Sequence, residues 1–173
     1  HEWEAQVSNR NNSEISCSVC TNRVTVLSNC LKTTHPELAK EWHPTKNGDL
    51  TPLDISFGSN KKVWWKCTKG DDHEWRTSVV KRSRGTNCPA CAGQKIVKSN
   101  CLATTHPELA KQWHQTKNGD LTPYDFIAGS AKKIWWKCDK DDEHVWNSAI
   151  NNRANNNACP VCNSLAVTHP KVA

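Results

Sequence analysis

The sequence predicts a small α+β fold that is repeated in tandem and stabilised by metal ions. Three features favour this fold: few aliphatic residues, a recurring pattern of cysteine and histidine, and an internal repeat of the sequence around that pattern. The 173 residues include only 29 Leu, Ile, Val and Phe residues, too few for a conventional hydrophobic core. The ten Cys, nine Trp and eight His residues supply metal ligands and large side chains to bury instead.

The internal repeat divides the chain into modules. Residues 30–91 align without a gap on residues 101–162, and 37 of the 62 aligned positions are identical. The first residues resemble the end of this unit and the last residues resemble its start, so we expect an interior portion of a longer array. The predicted segments are the end of a truncated module plus linker at 1–29, a complete module plus linker at 30–100, a complete module at 101–162, and the start of another at 163–173.

Within each module the pattern predicts a short helix followed by a β-hairpin. The string Thr34-His35-Pro36-Glu37 is typical of a helix start with Thr34 as the N-cap, and the helix is expected to continue through Trp42. Residues 61–67 have the β-branched and aromatic character of a strand, and residues 73–75 would lie on the return strand.

Adjacent tryptophans recur in this predicted strand. Trp64 and Trp65 would point to opposite faces, so one of them is expected in the core and the other could meet a partner. We expect Trp42 and Trp75 in the core as well, because little aliphatic material is present to cover a metal site. A platform that stacks on bases is the functional alternative for these tryptophans.

Cysteine and histidine recur with the spacing C-x5-H-x14-C-x2-C. Two cysteines in a C-x2-C turn can bind one ion, and a hairpin that brings another Cys and a His beside them completes a tetrahedral Cys3His site, for which zinc is the natural metal. The predicted zinc ligands are Cys67, His73, Cys88 and Cys91 in one complete site, Cys138, His144, Cys159 and Cys162 in a second, and His1, Cys17 and Cys20 in one incomplete site.

A disulfide framework is the alternative, because the number of cysteines is even. We favour zinc because a histidine in fixed register with cysteines has no role in a disulfide, and nothing indicates secretion. Cys30 and Cys101 could form a further metal site with His35 and His106, but Ser164 stands at the position equivalent to the two cysteines. We therefore expect Cys30 and Cys101 to be small buried side chains.

These motifs resemble the treble-clef zinc-finger repeat family, whose members are described as probable zinc-ribbon domains. The strings H-P-E-L-A, T-K-N-G-D-L-T-P, W-W-K-C and C-P-x-C occur in the family's order over nearly the whole chain. Lys32 departs from the family pattern, as do Cys30 and Cys101 where Ser is usual, but none of these is a predicted ligand. The resemblance implies a knuckle-and-hairpin zinc fold with C-P-x-C at the head of a short helix, and a binding role.

The function expected from the sequence is that of a non-catalytic binding module. No catalytic triad, paired-carboxylate motif or phosphate-binding glycine loop is evident, and a four-ligand zinc site leaves no open position for water, so we expect neither an enzyme nor a small-molecule substrate. A net charge of +6 permits an anionic partner, and we expect nucleic acid, either DNA or RNA. The predicted partner-binding residues are Lys61, Lys62, Lys66, Arg76, Arg82, Arg84 and Arg153.

A structural role is the alternative, in which zinc-stapled modules act as a scaffold or linker that joins proteins in a large assembly. Residues 61–84 contain eight basic and three acidic residues, whereas residues 132–153 contain five and four, which argues against a continuous phosphate-binding surface. Arg82 and Arg153 recur nine residues after each ligand histidine, and they could bind a phosphate or the carbonyl groups of their own chain.

No apolar run approaches the length of a membrane span, and the first residues do not form a signal peptide. We therefore expect an intracellular protein, with the nucleus or an organelle as candidate compartments.

Overall fold

The computed structural model of the chain describes residues 17–21 and 23–168. The chain divides into two compact units, residues 1–88 and 89–173. The first unit contains α1 (Leu31–Thr34), α2 (Pro36–Lys40), β1 (Lys62–Lys66), β2 (Glu74–Ser78) and α3 (Val79–Ser83). The second contains α4 (Leu102–Thr105), α5 (Pro107–Lys111), a 3-10 turn (Pro123–Asp125), β3 (Lys133–Lys137), β4 (Val145–Ala149), α6 (Ile150–Ala154) and α7 (Pro160–Thr168).

The helix predicted to begin at Thr34 is two shorter helices. Thr34 is the last residue of α1, and its hydroxyl donates a hydrogen bond to the carbonyl oxygen of Cys30 at 2.8 Å. His35 has φ −139° and ψ 66° because a residue before proline is disfavoured in the helical conformation. The prediction of Thr34 as N-cap was therefore wrong: His35 holds that position for α2, which ends before Trp42.

The predicted hairpin is confirmed in each unit. Strands β1 and β2 pair antiparallel, with Trp65 opposite Trp75 and Trp64 opposite Arg76. Because side chains alternate along a strand, the first of these pairs lies on one face and the second on the other. Trp65 and Trp75 are buried whereas Trp64 is half-buried, as expected for a strand with one face in the core. Strands β3 and β4 pair in the equivalent register.

A side-chain amide extends each hairpin at its outer edge. The N–H of Trp64 donates to Oδ1 of Asn47 at 2.8 Å, and Nδ2 of Asn47 donates to the carbonyl oxygen of Trp64 at 2.9 Å. Asn118 and Trp135 make the same two hydrogen bonds at the same distances. The asparagine of the recurring T-K-N-G string therefore fixes the backbone of the outward-facing tryptophan.

Aromatic side chains supply a large part of the core. In the second unit the buried cluster has partly buried neighbours that include Phe126 and Trp146. The rings of Trp113 and Trp136 meet edge to face, with centroids 5.7 Å apart. This arrangement explains how a chain poor in aliphatic residues still excludes water around its hairpins. The buried cluster consists of Leu102, Trp113, Ile134, Trp136 and Ile150.

No helix in the described part of the chain combines the length and the apolar character that a bilayer span needs.

We predict that Trp136→Ala destabilises the second unit by roughly 3–5 kcal/mol. The side chain is fully buried, and its Nε1 donates to the carbonyl oxygen of Ser148 at 2.9 Å. The control Trp135→Ala removes the same side chain from the opposite face and should cost about 1 kcal/mol at most. Amide hydrogen exchange of the zinc-loaded chain measures both losses, and equal losses would contradict the assignment of the two faces.

Candidate metal centres

The hairpin and the turn that follows it bring three cysteines and one histidine together in each module. The first cysteine directly follows the first strand, the histidine directly precedes the second strand, and the C-x2-C pair comes after the short helix. The candidate ligand atoms of each group all lie within 4.8 Å of one another. The groups are Cys67, His73, Cys88 and Cys91 in the first module, and Cys138, His144, Cys159 and Cys162 in the second.

The spacing of the ligand atoms matches tetrahedral zinc. With Zn–S at about 2.3 Å and Zn–N at about 2.0–2.1 Å, neighbouring ligand atoms of a tetrahedron lie about 3.5–3.8 Å apart. In the second group, Sγ of Cys138 lies 3.7 Å from Sγ of Cys162. Nδ1 of His144 lies 3.8 Å from Sγ of Cys159 and 3.5 Å from Sγ of Cys162. Both groups therefore fit zinc; in the first, Nδ1 of His73 lies 3.8 Å from Sγ of Cys88.

Backbone hydrogen bonds shape the loop between the first cysteine and the histidine. The N–H of Cys67 donates to the carbonyl oxygen of His73 at 2.9 Å, and the N–H of Lys69 donates to Sγ of Cys67 at 3.4 Å. The second module has the same two bonds, at 3.0 and 3.4 Å. There the N–H of Lys140 is the main cause that lowers the pKa of Cys138. These donors favour the thiolate form that binds a metal.

Each histidine directs Nδ1 toward the sulfur atoms and Nε2 toward a carboxylate. Nε2 of His144 lies 3.4 Å from Oδ2 of Asp141, and Nε2 of His73 lies 3.9 Å from Oδ1 of Asp72. A carboxylate at this position orients a ligating imidazole. In the first module the ring also packs on the backbone, because a Cβ at Gly70 would lie 2.8 Å from Cδ2 of His73.

The charges in the second group call for a cation. Burial and the neighbouring thiols of Cys138 and Cys159 raise the pKa of Cys162 to about 11. Without a metal, ionising all three thiols so close together is unfavourable, whereas a divalent ion offsets the repulsion and displaces the protons. Three thiolates and a neutral imidazole are the donor set of closed structural zinc sites. The disulfide alternative gives no role to the histidine nitrogen that both groups contain.

The predicted incomplete site lies only partly within the described residues. Cys17 and Cys20 belong to a turn in which the N–H of Thr21 donates to the carbonyl oxygen of Cys17 at 2.9 Å. His1 lies outside the described residues, so this site stays a prediction.

The C-P-x-C segment differs between the modules. In the second module, α7 begins at Pro160, as the resemblance to treble-clef repeats implied. In the first module, residues 89–93 form a turn instead, and Gly93 has φ 69°. A left-handed glycine at this point ends a helix before it is established. The expected helix is therefore correct for the second module only.

Cys30 and Cys101 lie outside both ligand groups. They are 0% and 1% exposed, and their thiols donate to the carbonyl oxygens of Leu27 at 3.4 Å and Lys98 at 3.2 Å. The structure confirms the prediction that they are small buried side chains. His35 packs on Phe57, with ring centroids 5.3 Å apart.

The predicted partner-binding residues occupy two different environments. Arg82 and Arg153 are 6% and 5% exposed, and their guanidinium groups hydrogen-bond within the chain. The structure therefore corrects their assignment to a partner surface, because burial removes both from contact. The remaining five lie at the surface, with Lys66 half-buried and the others exposed: Lys61, Lys62, Lys66, Arg76 and Arg84.

Two surface lysines that the sequence did not mark as functional contact the outer tryptophans. Nζ of Lys46 lies 4.9 Å from the ring centroid of Trp64, and Nζ of Lys117 lies 4.7 Å from that of Trp135. Their recurrence in the T-K-N-G string was the available signal. Each lysine lies 18 residues before its tryptophan in the sequence, and this separation does not indicate a contact between the two side chains.

The repeated hairpins and the two Cys3His groups define a tandem zinc-finger protein. A family model described as a probable treble clef zinc finger domain matches residues 38–94 and 109–165. The chain belongs to this family, which confirms the resemblance and the zinc-stabilised α+β fold. No curated protein matches the chain.

We predict that Cys88→Ser costs the chain one zinc ion and unfolds the first module, because structural zinc contributes about 10–16 kcal/mol of apparent binding free energy. The control Cys101→Ser changes a buried cysteine outside the ligand groups and should retain all the zinc. Elemental analysis and thermal melting test both variants. Full zinc content in Cys88→Ser, or reduced zinc in Cys101→Ser, would show that the ligands are misassigned.

Proposed function

We propose that the chain is a non-catalytic zinc-finger module that binds nucleic acid through the outer faces of its two hairpins. The observation that carries this proposal is a surface that recurs in both units: a partly exposed tryptophan surrounded by three lysines. We call these surfaces the lysine–tryptophan faces. They consist of Lys46, Lys62, Trp64 and Lys66 in the first unit, and Lys117, Lys133, Trp135 and Lys137 in the second.

The geometry of each face follows from the strand. Lys62, Trp64 and Lys66 alternate along β1 and so point to the same side, opposite to the buried Trp65. Lys46 reaches this side from the preceding loop and lies over the Trp64 ring. Lysines around a partly exposed indole combine charge for phosphates with an aromatic surface for bases.

Acidic neighbours reduce the positive charge of each face only in part. Glu74 pairs with Lys46, and hydrogen bonds from Lys46 and His43 lower the pKa of Glu74 to about 2. Val145 takes the place of Glu74 in the second unit, so among the described residues Lys117 has no ion pair. A second acid is common to both units: Nζ of Lys66 lies 3.8 Å from Oδ1 of Asp71, and Nζ of Lys137 lies 2.9 Å from Oδ1 of the equivalent Asp142.

The charge difference between the modules does not remove the shared surface. The second module lacks four basic residues of the first: Arg76, Lys81 and Arg84 are replaced by asparagines, and Lys32 is replaced by alanine. The three lysines of each face are present in both modules. This supports a common function of the two faces, with Arg76 adding a further cation opposite Trp64 in the first unit.

Each face lysine is expected to neutralise about one phosphate. We predict that replacing Lys62, Lys66, Lys133 and Lys137 together by alanine reduces the slope of log K against log salt by about 3 to 4. The matched control replaces Lys32, Lys81, Lys95 and Lys98, which removes the same charge from positions outside the faces. Fluorescence anisotropy of labelled single- and double-stranded DNA and RNA measures the slopes.

The results separate the proposal from the scaffold alternative. Nucleic acid is supported as the partner if binding depends on salt and if the face variant weakens binding more than the control variant does. Absent binding, salt-insensitive binding, or equal effects of the two variants overturn the proposal and favour a zinc-stapled scaffold that joins proteins.

A further inference from the structure

A buried arginine lies over two adjacent tryptophan rings in each unit. The guanidinium carbon of Arg82 lies 5.5 Å from the ring centroids of both Trp65 and Trp75. Arg153 occupies the equivalent position, 5.5 and 5.1 Å from two tryptophan rings. Such a site holds a charge away from water and therefore requires a compensating group nearby.

The hydrogen-bond partners of the two arginines differ in charge. Arg82 donates to the carbonyl oxygen of Thr86 and to the carboxylate of Glu41. Arg153 donates to the side-chain oxygen of Gln112, which replaces Glu41 in the repeat. A carboxylate thus neutralises Arg82, whereas the amide beside Arg153 carries no charge.

Arg153 faces the second metal centre. Together with Gln112 it lines a cavity of about 400 Å³ whose wall includes Cys138, Cys159 and Cys162. Among the described residues the buried Nε atoms of both Arg153 and Arg82 have no hydrogen-bond partner. Burial lowers the pKa of Arg153, and the carboxylate of Asp139 and the thiolate forms of Cys159 and Cys138 act in the opposite direction. Three ligands of the metal centre thus share this cavity with Arg153, together with the carboxylate of Asp139.

Zinc binding changes the net charge of the centre. A metal-free group of three thiols and a neutral imidazole is uncharged. When the three thiols release their protons and bind one Zn²⁺ ion, the group carries a formal charge of −1. A buried cation nearby favours this bound state over the metal-free state.

We propose that Arg153 is the counter-cation of the second zinc centre, and that the residue at position 112 sets how strongly it acts. With Gln112, the full charge of Arg153 stabilises the zinc–thiolate group. In the first module Glu41 withdraws most of this stabilisation by pairing with Arg82. Arg153 is thus a positioning residue that supports zinc binding without ligating the metal. Asp139 and Lys140, of opposite charge, also line the cavity and are unchanged in every variant below.

A charge exchange between the modules tests the proposal. Gln112→Glu keeps the shape of the side chain and an acceptor for Arg153 but neutralises the arginine. We expect the apparent zinc affinity of the second centre to fall about 10-fold. The mirror variant Glu41→Gln should raise the affinity of the first centre by a similar factor.

The measurement uses the full zinc-loaded chain equilibrated with graded concentrations of a zinc chelator at neutral pH. A pulse of N-ethylmaleimide labels cysteines that have lost zinc, and peptide mass mapping separates Cys159 and Cys162 from Cys88 and Cys91. Each variant therefore has an internal reference in its unchanged module. Urea unfolding at saturating zinc reports whether the fold is retained.

If Arg153 had a purely structural role, Gln112→Glu would raise the zinc affinity of the second centre instead of lowering it. In Gln112→Glu the hydrogen bond from Arg153 becomes charge-assisted, which would raise the stability of the module and its affinity for zinc. Unchanged or higher affinity of the second centre in this variant overturns the proposal. If the variant also loses resistance to urea, Glu41→Gln decides: higher zinc affinity of the first centre supports the proposal, and unchanged or lower affinity overturns it.

Discussion

Coordination of one ion by three thiolates and an imidazole nitrogen is the interaction on which this fold depends. The hairpins have strands of five residues, and an isolated two-stranded hairpin of this size is at best marginally stable in water. The ligand group ties the first strand, the start of the second strand and the C-x2-C turn to a single point. Metal binding free energy therefore replaces much of the stability that a larger domain obtains from burying aliphatic side chains.

The aromatic core and the metal centre depend on each other. Trp136 packs against Trp113 and also contacts Arg153, which in turn lines the cavity beside the cysteines. The indole rings of Trp136 and Trp146 cover the guanidinium group of Arg153, which strengthens the electrostatic interactions of this buried cation. Glu41 in the first module is replaced by Gln112 in the second, so two modules with the same ligands differ in the charge beside their buried arginine.

Each first strand separates two functions by the alternation of its side chains. The inward residues, such as Trp65, build the core, and the outward residues form the lysine–tryptophan faces. The amide of Asn47 fixes the backbone of Trp64, so the outer indole is held in place without being buried. The modules keep these lysines while other basic positions differ, which is why the proposed binding function rests on the faces and not on total charge.

The sequence by itself determined the modules, the hairpins and the two ligand groups. The repeat and the spacing of Cys and His can be recognised in the sequence without knowing how the side chains pack. It did not determine that His35, before a proline, splits the first helix, or that Gly93 ends the turn where the second module has a helix. Only the tertiary structure decided that Arg82 and Arg153 are buried and that Lys46 and Lys117 lie over the outer tryptophans. Burial and contact depend on segments far apart in the chain, and a repeated residue looks the same in a sequence whether it packs inside or faces a partner.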